Sequence, residues 1–371
     1  MAAKGRRKKA RKVPPIKART KARTKATASV TGPVTLEEAR ALAQAKHPKQ
    51  AMRAARKTAA PPASPEDVGA AREKLEKERR EERARRVREY KDTMAIMKKR
   101  GARRPRSRGA AKAKRGEPVA ERDAFNPLQI FAEGDSWFEY PVPFFGGGII
   151  PRLENRLGVP ILNLAKAGDE VRYMLGVEER TLLAKHLRRG SPAGGPWDLL
   201  LFSGGGNDIV DNPMALWVLD WNPAVPPADH IHQKRFDSAV ALVRAGYEDL
   251  IALRNDLSPN THLIFHGYDF PIPDGRGICH LGPWLKPTFD LRKFPTRAAA
   301  QEVVKAMLQQ FAVLLTSLAA LPKVTFINGQ GTLAPQTSSW HNELHPSKAG
   351  FGKLADIFYR EIKRLFPNRV A

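Results

Sequence analysis

Four short polar or glycine-rich clusters carry the residue types that acyl transfer needs. Gly134-Asp135-Ser136-Trp137 offers a hydroxyl, and Asn342-Glu343-Leu344-His345-Pro346 offers an imidazole. The run from Asn163 to Gly168 and the run Gly205-Gly206-Asn207-Asp208 offer backbone and side-chain amides. A hydroxyl attacks a carbonyl when an imidazole takes its proton, and N–H donors hold the charge that develops on the carbonyl oxygen. Taken singly, each residue has an ordinary reading. Serine and asparagine cap helices, glycine satisfies turns, and a histidine before proline sits in exposed loops. The clusters gain meaning only if the fold brings them together.

The elements around them predict that it does. Apolar runs at 127–134, 160–165, 198–206, 261–269 and 324–331 read as strands. Helical patterns lie between them, near 148–157, 169–188, 233–255 and 296–320, with a last helix at 350–366. The third run, Asp198 to Gly206, is nearly all apolar, as a strand buried on both faces must be. Strands alternating with helices at this spacing give a parallel sheet with helices on both faces. In such a sheet the site lies outside the C-terminal ends of the strands. Three of the clusters directly follow a predicted strand, and the fourth directly precedes the last helix.

In these four blocks the sequence resembles the SGNH (GDSL-type) hydrolases, whose name lists Ser, Gly, Asn and His in this order. The resemblance covers roughly residues 127–366. It implies a three-layer α/β/α domain with a five-stranded parallel sheet, flavodoxin-like in form, and carboxylic ester hydrolysis through an acyl-enzyme. It implies Ser136 as nucleophile and His345 as general base. It also implies an oxyanion hole built from the Ser136 and Gly168 backbone N–H groups and the Asn207 side-chain amide. Family members act on lipid, thioester, aryl-ester and O-acetyl sugar substrates, so no single ester is implied. Neither a cofactor nor a metal is expected, and Cys279-His280 is too short a motif to hold one.

One position departs from the family pattern. Asp usually stands three residues before the histidine, and here that residue is Asn342. A carboxylate there fixes the imidazole tautomer and stabilises the imidazolium; an amide supplies no charge and is free to present either end. Three groups are candidates for orienting His345: the Asn342 side chain, a backbone carbonyl, or a carboxylate from Glu343 or Asp269. His266 and Asp269, at the end of the fourth strand, read as pocket or structural residues rather than as the catalytic pair. The long Trp- and Pro-containing loops at 211–232 and 270–295 read equally as substrate walls and as covers for the sheet edge.

Charge divides the chain. Residues 1–120 hold 38 Lys/Arg against 12 Asp/Glu, and the remainder holds 26 of each, so the whole excess of +26 lies in the N-terminal third. Residues 1–65 read as a disordered basic tail, 66–100 as a charged, solvated helix with apolar residues too sparse for a heptad seam, and 101–125 as a basic linker. Residues 126–371 form the α/β domain. Lys and Arg without interleaved aromatics point to sequence-blind contact of residues 1–120 with a polyanion, nucleic acid or anionic lipid, beside the ester substrate. With no transmembrane run and no recognisable signal peptide, a cytoplasmic location is expected. Two rivals follow from the same features. Asn342 allows a catalytically silent scaffold targeted by its basic arm, and the charge allows a nucleic-acid-binding protein whose α/β domain is incidental.

Overall fold

The computed structural model describes residues 34–46, 65–101, 126–140, 147–278 and 282–370. The stretches 1–33, 47–64 and most of 101–125, with Cys279-His280, lie outside the described residues. The expectations of a disordered tail and a basic linker fall largely there.

Five parallel strands form one sheet in the order β2-β1-β3-β4-β5. They are β1 (Ile130–Gly134), β2 (Ile161–Asn163), β3 (Leu199–Ser203), β4 (His262–His266) and β5 (Val324–Ile327). Each lies inside one of the five expected segments. Every residue of β1 and β3 is buried, which is why these strands read as continuous apolar runs rather than as alternating ones. Crossovers between the parallel strands place helices on both faces of the sheet. On one face α3 (Ile149–Leu157) packs against α10 (Lys348–Leu365). On the other lie α4 (Val171–Met174), α5 (Val177–Arg189), α7 (Gln233–Leu257) and α9 (Arg297–Leu318). Two short helices, α6 (Gly206–Ile209) and α8 (Lys286–Leu291), sit in connections at the site end. The single helix expected at 169–188 is two, because Gly176 takes an extended conformation between α4 and α5.

The N-terminal region differs from expectation. Helix α1 (Leu36–Lys46) forms inside the segment read as disordered tail. Its start is a capping box: the Glu38 N–H donates to Thr35 Oγ1 at 3.2 Å, and the Thr35 N–H donates to Glu38 Oε2 at 2.9 Å. Helix α2 (Pro65–Arg100) has the expected length but is not solvated all round. Val87, Tyr90, Met94 and Met97, spaced three and four apart, make one narrow apolar stripe. Tyr90 and Met94 join the main core, and Met97 packs on Val34, Leu36 and Ala39. Full burial of such side chains contributes about 1.5–3 kcal/mol each. The Tyr90 hydroxyl donates to Gln129 Oε1 at 2.9 Å, Arg83 pairs with Glu179 of α5, and Arg40 of α1 pairs with Glu154 of α3. Helix α2 therefore lies along β2, an edge strand whose outer backbone groups have no further strand beside them among the described residues. A helix covering one edge needs only one stripe, so sparse apolar residues suffice.

Candidate active site

The turn after β1 carries Ser136. Gly134 has φ +154°, and a Cβ there would stand 2.6 Å from the Ser203 carbonyl oxygen, so only glycine lets the turn lie so close to β3. The Asp135 N–H donates to the Ser203 carbonyl at 3.0 Å, and Asp135 Oδ1 accepts the Trp137 N–H at 2.9 Å. Beneath it, Ser203 Oγ lies 2.7 Å from Asp135 Oδ1 and 2.8 Å from His266 Nε2, and Tyr268 donates its hydroxyl to Asp135 Oδ2. Ser203 and His266 are at most 2% exposed, and the carboxylate touches the serine rather than the imidazole. This Ser203-His266-Asp135 group is thus wired as a foundation for the turn that carries Ser136 and not as a triad. Burial pushes Asp135 up to about 6 against the hydrogen bonds it accepts, and burial pushes His266 down to about 4.

His345 comes from a tight loop before α10. An antiparallel bridge joins Trp340 to Pro346, and the His341 N–H donates to the His345 carbonyl at 2.8 Å. His345 Nε2 lies 2.6 Å from Ser136 Oγ, and Nδ1 lies 2.9 Å from Asn342 Oδ1. The amide has one orientation available. Its Oδ1 also accepts the Leu344 N–H at 3.0 Å and the His345 N–H at 2.9 Å, while its Nδ2 donates to the Tyr140 hydroxyl at 3.1 Å. A flipped amide would turn its NH2 against two backbone donors. Nδ1 must therefore carry the ring proton, leaving the Nε2 lone pair for the serine hydroxyl. Asn342 is fully buried, and burial, then nearby His341, pushes His345 down to about 3.

Of the candidates for orienting His345, the Asn342 side-chain carbonyl occupies the position. Glu343 points elsewhere: its two oxygens accept the N–H groups of Gly275, Trp284, Leu285 and Lys286, clamping the 270–295 loop to the His345 loop. Asp269 accepts from Gly331 and Leu333 and holds the segment after β5. The long loops divide in the same way. Trp284 stands edge-on to His345 with centroids 5.8 Å apart, whereas Trp221 stacks on His230 within its own loop and packs on Phe294 of the other, joining the two loops.

Ser136, Asn207 and His345 line one pocket with Trp137, Val210, Tyr268, Pro271 and Leu308 among its walls. Its volume is about 30 Å³, it is partly open to solvent, and its surface is mostly apolar. The Asn207 Nδ2 donates one proton to the Asp169 carbonyl at 2.8 Å, which leaves the second for a ligand. Gly168, in the left-handed region at φ +84°, is exposed on the loop that carries Asp169 and is not among the pocket-lining residues. Tyr140 was not legible as a site residue. Its ring stacks on His345 with centroids 4.3 Å apart, and its hydroxyl lies 2.7 Å from His341 Nδ1. Its position four residues after Ser136, on the same turn, was the available signal. Among the described residues no group of three His, Cys, Asp or Glu gathers as metal ligands, and no helix is long and apolar enough to cross a membrane.

No protein-family model and no curated protein matches the chain. The solved structures to which it is similar include lipases, members of the lipolytic G-D-S-L family and a salicylyl-acyltransferase. A lipase from a goat rumen metagenome is 17% identical, with a TM-score of 0.42 over 63% of this chain and 96% of the other. An extracellular lipase from Streptomyces rimosus is 14% identical, with a TM-score of 0.38 over 63% and 99%. A member of the lipolytic G-D-S-L family from Veillonella parvula is 18% identical, with a TM-score of 0.39 over 64% and 99%.

Proposed function

We propose that the protein is a serine ester hydrolase that cleaves a carboxylic ester through an acyl-enzyme on Ser136. The observation that carries the reading is the unbroken relay from Ser136 Oγ through the His345 ring to Asn342 Oδ1, set in an apolar pocket. Ser136 Oγ attacks the carbonyl carbon and its proton passes to His345 Nε2. The imidazolium is held by Asn342 Oδ1, a neutral acceptor whose orientation the loop backbone fixes. The oxyanion takes N–H donors from Ser136, Gly168 and the free proton of the Asn207 amide. Collapse expels the alcohol, which receives the proton from Nε2, and water activated by the same nitrogen releases the acid.

The pinned amide removes one of the two penalties that an Asp-to-Asn exchange brings. In a serine protease that exchange costs about four orders of magnitude, with the wrong tautomer as a cause. Here the tautomer is correct and only the charge is missing. The absent charge is also the observation that favours the second reading, a catalytically silent binding scaffold. Hydrolysis of p-nitrophenyl acetate by the full-length chain, abolished in Ser136→Ala, supports the first; a folded wild type no faster than Ser136→Ala supports the second. The excess of +26 supports a contact of residues 1–120 with nucleic acid or an anionic surface, tested by salt-dependent retention on heparin before and after removal of residues 1–33.

A further inference from the structure

We infer that Arg86, on the N-terminal helix α2, is a positioning residue for the oxyanion side of the site; the inference rests on the ester-hydrolase reading. Strand β2 is three residues long and forms the sheet edge. Beyond it the chain continues in extended form. The Leu164 and Lys166 N–H groups donate to the Ala132 and Gly134 carbonyls of β1, each at 2.8 Å. Alternation along an extended chain then turns the carbonyls of Asn163 and Ala165 outward, where a sixth strand would have to satisfy them. No strand is there. The Arg86 Nη1 donates to both, at 3.1 Å each.

The same guanidinium reaches the nucleophile turn. Its Nη2 pairs with Glu139, whose N–H donates to the Asp135 carbonyl at 3.0 Å, and its Nε donates to Glu82 Oε1 at 3.0 Å, which aims the fork from within α2. The Asn163 side chain repeats the tie, donating to the Phe138 carbonyl at 3.2 Å and accepting the Ala165 N–H at 3.1 Å. From there the loop runs through Gly168 to Asp169, whose carbonyl holds the Asn207 amide. Both donors assigned to the oxyanion opposite Ser136 thus hang on a segment whose two outward carbonyls Arg86 fastens, and Glu139, which Arg86 holds, accepts the Ala167 N–H of the same loop. A planar fork with five donors suits two carbonyls and a carboxylate at once, as a lysine ammonium does not. Helix α2 is by this account part of the catalytic apparatus and not a carrier for the tail.

The test uses the full-length chain with Arg86→Ala, Arg86→Lys and, as a docking control, Arg83→Ala. Arg83 ties the same helix to Glu179 of α5 and is not among the groups bonded to the loop. Melting temperatures and kcat and KM for p-nitrophenyl acetate are measured for each. Displaced oxyanion donors lower kcat, and we expect a fall of about 10- to 100-fold in Arg86→Ala with KM within about twofold. Arg86→Lys should recover part of it, and Arg83→Ala should stay within about twofold of wild type even where its melting temperature falls as far. A wild-type kcat in Arg86→Ala overturns the inference, as does an equal loss in Arg83→Ala, which would make helix docking the whole effect. If Arg86→Ala is recovered unfolded, Arg86→Lys decides: a lowered kcat at an unchanged melting temperature supports the inference, and a wild-type kcat overturns it. A wild type inert to all esters overturns the hydrolase reading and this inference together, whereas an active wild type with an indifferent Arg86 overturns this inference alone.

Discussion

Replacing Asn342 by Asp exchanges one NH2 for an oxygen and places a charge where the loop already converges three donors. The Leu344 N–H, the His345 N–H and the His345 Nδ1–H all point at Oδ1, so the new carboxylate meets donors at once. Its second oxygen faces Tyr140, whose hydroxyl now accepts from Asn342 and would turn to donate. Charge centres about 4 Å apart at an effective dielectric near 20 attract by about 4 kcal/mol, or about 3 pKa units. Burial of the carboxylate opposes this, so the lift on His345, from about 3, should bring it to no more than ~6. An anion beside Nδ1 favours the imidazolium, so the shift is upward, and the same attraction stabilises the imidazolium in the transition state. If about 1.4 kcal/mol survives the desolvation cost, kcat/KM at pH 7 rises about tenfold. The assay is the pH profile of kcat/KM for p-nitrophenyl acetate. Wild type should be flat from about pH 4 upward, and Asn342→Asp should be faster with an acid limb displaced toward neutrality. A slower variant with an unmoved acid limb would refute the claim that Oδ1 faces the imidazole.

Three further outcomes follow from other parts of the molecule. The pocket beside Ser136 offers about 30 Å³, against ~150 Å³ for a cavity that holds benzene, so acetyl esters should be hydrolysed at least about tenfold faster than octanoyl esters. Leu308→Ala, which opens the pocket wall, should move the optimum to longer chains, measured as kcat/KM along the p-nitrophenyl series. Burial raises Glu133 to about 8 in the fold from an ordinary 4.5, so the folded state binds the extra proton. Stability from this group is fully present below about pH 4.5 and is lost as pH rises toward 8. Thermal melts of Glu133→Gln should therefore gain on wild type as pH goes from 4.5 to 8, and a constant difference would contradict the assignment. Met94 is fully buried against the domain, so Met94→Ala should cost about 2–5 kcal/mol in denaturant unfolding, where a solvated helix would show a change near zero.

The parts of this architecture that were legible in the sequence are those set by local pattern. Buried strands appear as apolar runs, and parallel topology sends whatever follows β1, β2 and β3 to one rim. Ser136 and Asn207, which line one pocket, could thus be grouped before any distance was known, whereas Gly168 is exposed and not among the residues lining it. The orientation of Asn342 could not, because it depends on where the Leu344 and His345 N–H groups point once the loop closes. Nor could the destinations of Glu343 and Asp269, which look like spare carboxylates in one dimension and serve as backbone clamps in three. The capping box Thr35–Glu38 was present in the sequence, but its basic surroundings obscured it. In α2 the stripe Val87-Tyr90-Met94-Met97 has helical spacing. Testing it against a coiled-coil seam set too wide a standard, since covering the β2 edge requires one narrow face.

Hydrolysis through an acyl-enzyme requires Ser136 to be a nucleophile activated by His345. Full-length protein treated with a fluorophosphonate and examined by peptide mass spectrometry measures this without knowledge of the natural ester. One adduct per chain on Ser136, lost in Ser136→Ala and slowed at least about a hundredfold in His345→Ala, is the predicted result. A folded wild type left unmodified, or labelled equally well without His345, would contradict it.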